Sequence, residues 1–122
     1  MFQGLRTVIY WVPDVAAAKA WYAKAFGVAP YFDEPFYVGF EIGGYELGLH
    51  PYGDKKDVRV GNSVVAYWGV PDIDAAWRHM LEQGATEREP IQEVGEGIKV
   101  AGVVDPFGNV IGLIENPHFK GK

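Results

Sequence analysis

The sequence contains no cysteine. That removes disulfide staples, thiolate nucleophiles and cysteine-ligated zinc, and it is compatible with a reducing cytoplasm. It contains one serine, Ser63, which stands outside any G-x-S-x-G elbow and so argues against a serine hydrolase. Positive charge is scarce, with 11 Lys and Arg against 16 Asp and Glu and a formal net charge of −5. The largest basic cluster, Lys55, Lys56 and Arg59, is interrupted by Asp54 and Asp57. No positive stripe is available to neutralise phosphates, so nucleic acid is not an expected partner. No apolar run approaches the roughly 18 residues of a membrane span, and no charged-then-apolar signal segment opens the sequence. The expectation is a soluble cytoplasmic protein with no membrane partner. The stretch "GEGIKVAG" lacks the spacing and the strand–turn–helix context of a dinucleotide fingerprint, and neither a P-loop nor an EF-hand loop occurs.

Aromatic residues are plentiful: 4 Trp, 7 Tyr and 7 Phe in 122 residues. A chain of this length is expected to form one compact domain with a core of its own. Most of the rings belong in that core, and an excess of rings also suits a pocket for a flat or apolar ligand.

The chain repeats itself. "VIYWVPD" (8–14) returns as "VAYWGVPD" (65–72), and each copy runs into an alanine-rich stretch with a tryptophan. "LRTVIYWV" (5–12) is β-branched and aromatic, as a strand requires. Pro13 and Asp14 stop it, and Asp14 is placed to cap a helix whose apolar stripe is Val15, Ala18, Trp21, Tyr22, Ala25 and Phe26, closed by Gly27. Extended pieces follow at 29–34, 36–43 and 45–51, with "GGY" (43–45) as a hairpin turn. The polar stretch 52–63 reads as a connector. A strand at 64–70 then leads through Pro71 and Asp72 into a second helix with the stripe Ile73, Ala76, Trp77, Met80 and Leu81, closed by Gly84. Extended pieces follow at 86–94, 98–105 and 110–116, with a tight turn at "DPFGN" (105–109) and a tail at 117–122.

The predicted class is therefore α+β: two tandem βαβββ modules, 5–51 and 64–116. A half-chain of about 60 residues is too small to be comfortable alone, so the modules are expected to pack together. They would form a curved, cup-like eight-stranded sheet with the helices outside, its cup lined from both halves.

With its duplicated βαβββ order, "VPD" entering "AKAWYAKAFGV", "VPDIDAAW…LEQGA" and the closing "DPFGNVIGLIENP", the chain resembles the vicinal oxygen chelate superfamily of glyoxalase I, bleomycin-resistance proteins and extradiol dioxygenases. The resemblance runs from about Leu5 to Glu115. It implies a small-molecule site inside the cup and, since family members often dimerise, a homodimer. It also implies a divalent metal in the enzymes, with a histidine seven residues before each helix-opening aspartate and a glutamate in a last-strand pattern like "IEL". In this sequence those four positions are Thr7, Gly48, Val65 and Gly112, none of which offers the imidazole or carboxylate that such a metal needs. In this respect the chain resembles the antibiotic-binding members, which work without the metal.

Period-two alternation from those positions extends the expected inner face. It places Thr7, Ile9 and Trp11 on the first strand, Glu46, Gly48 and His50 on the fourth, Val65, Tyr67 and Gly69 on the fifth, and Val110, Gly112 and Ile114 on the eighth. Glu46 and His50 are the candidate catalytic groups, as base or positioning group, with the alternative that both sit solvated near strand ends. Two inward steps separate them, so no direct contact is expected. Trp11 and Tyr67 are candidates for stacking on a ligand or are ordinary core rings. Thr7, Ile9, Gly48, Val65, Gly112 and Ile114 complete the expected ligand-binding set. Tyr37, Phe40 and Tyr45 could add an aromatic wall, but their facing is open. His79 and His118 are expected at the surface and in the tail.

Three readings follow: a cofactor-free protein binding an apolar, aromatic or cationic small molecule; a lyase or isomerase of the same superfamily, with Glu46 or His50 as base and a divalent metal held in a non-standard way; and a non-catalytic subunit that uses its sheet face as a protein interface.

Overall fold

A computed structural model describes residues 1–56, 58, 59, 61 and 64–119. Ser63, at the end of the expected connector, lies outside the described residues. The chain divides into two compact units, Met1–Arg59 and Val60–Lys122, each holding one βαβββ module.

In the first unit, β1 (Thr7–Val12), α1 (Val15–Phe26), β2 (Phe32–Glu34), β3 (Tyr37–Ile42) and β4 (Tyr45–Pro51) follow one another. The sheet order is β1-β4-β3-β2, with β1 parallel to β4 and the other pairs antiparallel. Asp14 caps α1 as its sequence position implies: its carboxylate accepts the backbone N–H groups of Ala16 and Ala17, both at 3.1 Å. Gly27 ends the helix in the left-handed conformation, φ 67°, which an L side chain resists. The helix lies on β3 and β4 and buries Ala18, Tyr22 and Ala25 against them. The sheet answers with Tyr10, Val12, Val38, Phe40, Leu47 and Leu49, all buried. This layer settles one open question: Phe40 is core and is not part of the opposite face. Gly43 and Gly44 both take positive φ, 59° and 92°, which makes the β3–β4 hairpin turn.

In the second unit, β5 (Tyr67–Gly69), α2 (Ile73–Glu82), β6 (Thr86–Gly95), β7 (Ile98–Val104) and β8 (Val110–Glu115) form the sheet β5-β8-β7-β6. Asp72 caps α2 through Ala75 N–H, and Glu115 of β8 accepts the Ile73 N–H at 2.9 Å, so the strand holds the helix start directly. Ile73 and Met80 of α2 are buried, as are Ala101, Val103, Ile111 and Leu113 of the sheet. Asp105, buried at 3% exposure, accepts the N–H groups of Phe107 and Asn109, both at 2.8 Å, and ties the turn before β8.

The α+β class and the two βαβββ modules are thus as expected, with the eight strands laid in two four-stranded ladders. The fifth strand is shorter than the predicted 64–70. Pairing starts where the Ala66 carbonyl accepts Gly112 N–H and ends where Val70 N–H reaches Ile114, so Val65 precedes the ladder. The reason is position: among the described residues β5 is an edge strand paired with β8 alone, and Val64 upstream of it is 88% exposed. At the other edge β6 is longer than 86–94 and carries Pro90 and several register shifts, which an edge strand tolerates.

Candidate functional site

The side of the first sheet away from α1 is set by register. Thr7 pairs with Glu46, Ile9 with Gly48 and Trp11 with His50, so these six residues share one face, opposite the buried Tyr10, Val12, Leu47 and Leu49. The alternation expected from the sequence holds on both strands. Trp11 stacks against His50 with ring centroids 4.1 Å apart and a tilt of 34°, and Lys55 Nζ stands 5.5 Å from the Trp11 ring centroid. His50 is fixed from its other side too: Nδ1 is 2.8 Å from the Pro51 carbonyl. A carbonyl can only accept, so Nδ1 carries a proton, and the tautomer this contact selects for a neutral ring has its lone pair at Nε2.

Glu46 is held by two tyrosines. Tyr37 donates to Oε1 at 2.9 Å and Tyr31 donates to Oε2 through a short hydrogen bond. Thr7 Oγ1, buried and without a hydrogen bond of good geometry among the described residues, lies close enough to influence the same carboxylate. Burial pushes the Glu46 carboxyl up, but the hydrogen bonds from Tyr31 and Tyr37, assisted by the nearby Thr7 hydroxyl, outweigh it and leave the pKa below its ordinary value. The tyrosines move the other way. The bond to Glu46 raises Tyr31, and burial raises Tyr37, with Thr7 opposing and Glu46 assisting.

These shifts have a measurable consequence. Glu46 binds its proton less readily in the folded chain, so its contribution to stability is complete above the ordinary carboxylate pKa of about 4.3 and is lost as pH falls through the lowered folded value. Melting temperature followed from pH 7 down to about 2.5 should fall less steeply in Glu46→Gln than in the parent chain. Parallel acid limbs in the two proteins would show that Glu46 is not linked to folding. For Tyr31 and Tyr37 the sign reverses: their contribution is intact below about pH 10 and is lost as pH rises through the raised folded values.

Glu46 and His50, four residues apart on one strand, are separated by about 13 Å along it and do not meet. Tyr37 joins them instead. Its hydroxyl is on Glu46 and its ring lies 6.2 Å, edge-on, from the His50 ring. The ring passes over Gly48, where an added Cβ would stand 1.9 Å from the Tyr37 hydroxyl oxygen and 2.6 Å from Cζ. Gly48 therefore does not leave open room for a ligand; it admits a tyrosine of the same chain. The second unit repeats the arrangement with other atoms. Tyr67, Gly112 and Ile114 share the face away from α2, as the register Tyr67↔Gly112 and the burial of Ile111 and Leu113 require. A Cβ on Gly112 would stand 2.6 Å from Tyr67 Cδ1 and 2.8 Å from the Ala66 carbonyl oxygen. Tyr67 itself remains 49% exposed. Val65, outside the ladder, takes its place on neither face by register.

The four positions implied for a divalent metal do not fit one. Thr7 and Val65 supply no imidazole, Gly48 and Gly112 supply no carboxylate, and the space over both glycines holds tyrosine atoms. Among the described residues no three His, Asp or Glu side chains gather into a metal-sized group. Nor is any helix of the described residues long and apolar enough to cross a membrane. His79 is exposed on α2, and His118 Nε2 donates to the Glu96 carbonyl at 2.9 Å. Tyr45 has the register parity of the helix side, being paired with Ile42. Tyr31 is not singled out by the sequence; the signal available was its place in the aromatic piece "APYFDE", ahead of the strand carrying Tyr37.

The family comparison agrees with this architecture. The model described as the Glyoxalase/Bleomycin resistance protein/Dioxygenase superfamily matches residues 4–113, and the chain belongs to that superfamily. Solved structures share the fold. A glyoxalase-related enzyme from Fulvimarina pelagi superposes with a TM-score of 0.80 at 19% identity, covering 99% of this chain and 94% of its own. A lactoylglutathione lyase from Agrobacterium tumefaciens gives 0.75 at 18% identity, covering 98% and 100%. TioX from Micromonospora sp. ML1 gives 0.69 at 18% identity, covering 92% and 98%. No curated protein sequence matches the chain.

Proposed function

We propose that this chain is a small-molecule-binding member of the superfamily that works without a metal and takes an aromatic ligand on the first sheet's face of Thr7, Ile9, Trp11, Tyr37 and His50. The observation that carries the reading is the Trp11–His50 stack at 4.1 Å with Ile9, 40% exposed, on the same face. A flat apolar surface bordered by a fixed carboxylate is what an aromatic or cationic guest recognises. The metal positions support the reading, because each of the glycines that would carry a carboxylate is instead covered by a tyrosine.

Quenching of tryptophan fluorescence by a panel of aromatic and cationic compounds tests it. Ligands that quench the parent chain should bind Trp11→Ala about three- to tenfold more weakly by calorimetric titration, the loss of one good ring contact. A panel that leaves fluorescence and melting temperature unchanged would overturn the binding reading. Stoichiometric transition metal in protein purified without chelators would overturn its metal-free part.

One observation favours a second reading, a lyase or isomerase that removes a proton beside a carbonyl. The Nδ1–Pro51 hydrogen bond leaves His50 Nε2 as the acceptor, the tautomer a general base needs. Glu46 suits that role less, since its hydrogen bonds hold its pKa down, away from neutrality. Deuterium uptake from heavy water into a bound carbonyl compound, lost in His50→Gln, would favour turnover over simple binding.

A further inference from the structure

Tyr37 occupies an unusual place on the first sheet. It precedes Val38, whose ladder partner is Leu49, so its own backbone stands level with His50. Its hydroxyl nevertheless reaches Glu46, 2.9 Å away. The ring must therefore lie along the sheet from the His50 row to the Glu46 row, across Gly48. Only a glycine leaves that room, because a Cβ there would fall inside the phenol group. The result is a cradle with a glycine floor, an imidazole edge at one end and an anchored carboxylate at the other, filled by a phenol belonging to the chain.

We propose that this cradle is a phenol-binding subsite held by Tyr37, and that a ligand bearing a phenolic hydroxyl takes Tyr37's place over Gly48 and donates to Glu46. This deepens the binding reading of the same face, on which it rests, by naming the ligand's chemistry. A ring without a hydroxyl would displace Tyr37 only by leaving Glu46 Oε1 without its donor, in a half-buried setting where an unpaired acceptor is costly. A phenol restores the lost bond atom for atom. An aromatic carboxylate would meet Glu46 as a like charge. Tyr37 thus acts as a selectivity element: it yields to a guest that reproduces both its ring and its hydrogen bond. Discrimination of this kind is strong because a site built around a polar group rejects guests that leave the group unpaired.

The test uses p-cresol, which is the tyrosine side chain as a free molecule, and toluene, the same ring without the hydroxyl. Both are titrated into the full chain and into Tyr37→Ala, with the Gly48 and Trp11 amide resonances as reporters. Tyr37→Ala is expected to bind p-cresol about tenfold more tightly than the parent chain does, and about tenfold more tightly than it binds toluene. Equal affinity of the two proteins for p-cresol, or of the two compounds for the variant, overturns the proposal. If circular dichroism shows Tyr37→Ala unfolded, Tyr37→Phe serves, since it keeps the ring over Gly48 but no longer donates to Glu46. It should bind p-cresol several-fold more tightly than the parent, and unchanged affinity overturns the proposal. The two failures are distinguishable. Ligands that quench Trp11 while p-cresol ignores Tyr37→Ala would sink the subsite and leave general binding intact. A p-cresol-binding Tyr37→Ala whose parent chain binds neither p-cresol nor any compound of the panel would overturn both, since the phenol then fails to displace Tyr37.

Discussion

Replacing Phe40 by alanine is expected to cost the first unit about 3–5 kcal/mol, measured as the free energy of unfolding in urea or guanidinium. Phe40 is 1% exposed and sits in the layer between α1 and its sheet, with Tyr22, Leu47 and Leu49 in the same fully buried set. Removing a ring from such a place forfeits its transfer free energy and leaves a cavity that close-packed neighbours fill only in part. Domains of this size are stable by only about 5–15 kcal/mol, so the loss is a large share of the whole. Phe36, four residues earlier and 62% exposed, provides the contrast. Phe36→Ala should change stability by no more than about 0.5 kcal/mol. Similar costs for the two substitutions would contradict the assignment of Phe40 to the core.

Gly112→Ala should be the most damaging small change in the second unit, costing about 3 kcal/mol, the upper end of ordinary overpacking. The methyl group would meet Tyr67 Cδ1 at 2.6 Å and the Ala66 carbonyl oxygen at 2.8 Å. Neither atom can simply rotate away. Cδ1 lies near the root of the Tyr67 ring, and the carbonyl accepts the Gly112 N–H in the ladder at 2.8 Å. Gly48→Ala should cost less, about 1 kcal/mol, although its clash is nominally closer. There the obstacle is the far end of Tyr37, which a change of rotamer removes at the expense of its bond to Glu46. Thermal melts of the two variants decide the ranking. The double variant Gly112→Ala/Tyr67→Ala should recover only part of the loss, because the carbonyl contact remains. If Gly48→Ala proves the more damaging, the Tyr37 side chain is more firmly seated than its hydrogen bond and ring contacts imply.

Much of the first unit is legible in the amino-acid sequence. The caps at Asp14 and Gly27, the Gly43–Gly44 hairpin and the alternation of Thr7, Ile9 and Trp11 against Tyr10 and Val12 all rest on local chemistry: a side-chain acceptor before a helix, positive φ in a turn, and the two-residue period of a strand. Glu46, Gly48 and His50 follow by the same period. What is not legible is the group that stands over Gly48. A glycine in a strand announces a close approach without naming its source, and here the source is Tyr37, on the neighbouring strand β3. Tyr31 escapes a sequence reading for the same reason, since its bond to Glu46 spans 15 residues of chain.

The sequence by itself determined the βαβββ modules, their helix ends, the two faces of β1 and β4, and the absence of imidazole and carboxylate at Thr7, Gly48, Val65 and Gly112. These depend on residues within a turn or two of each other, or on the bare identity of a side chain. Only the tertiary structure decided that Tyr31 and Tyr37 grip Glu46, that His50 Nδ1 donates to the Pro51 carbonyl, that Phe40 belongs to the core, and that β5 is too short to include Val65. Each of those depends on strand register and edge position. Register is set by how whole faces bury against a helix, and no local stretch of chain contains that information.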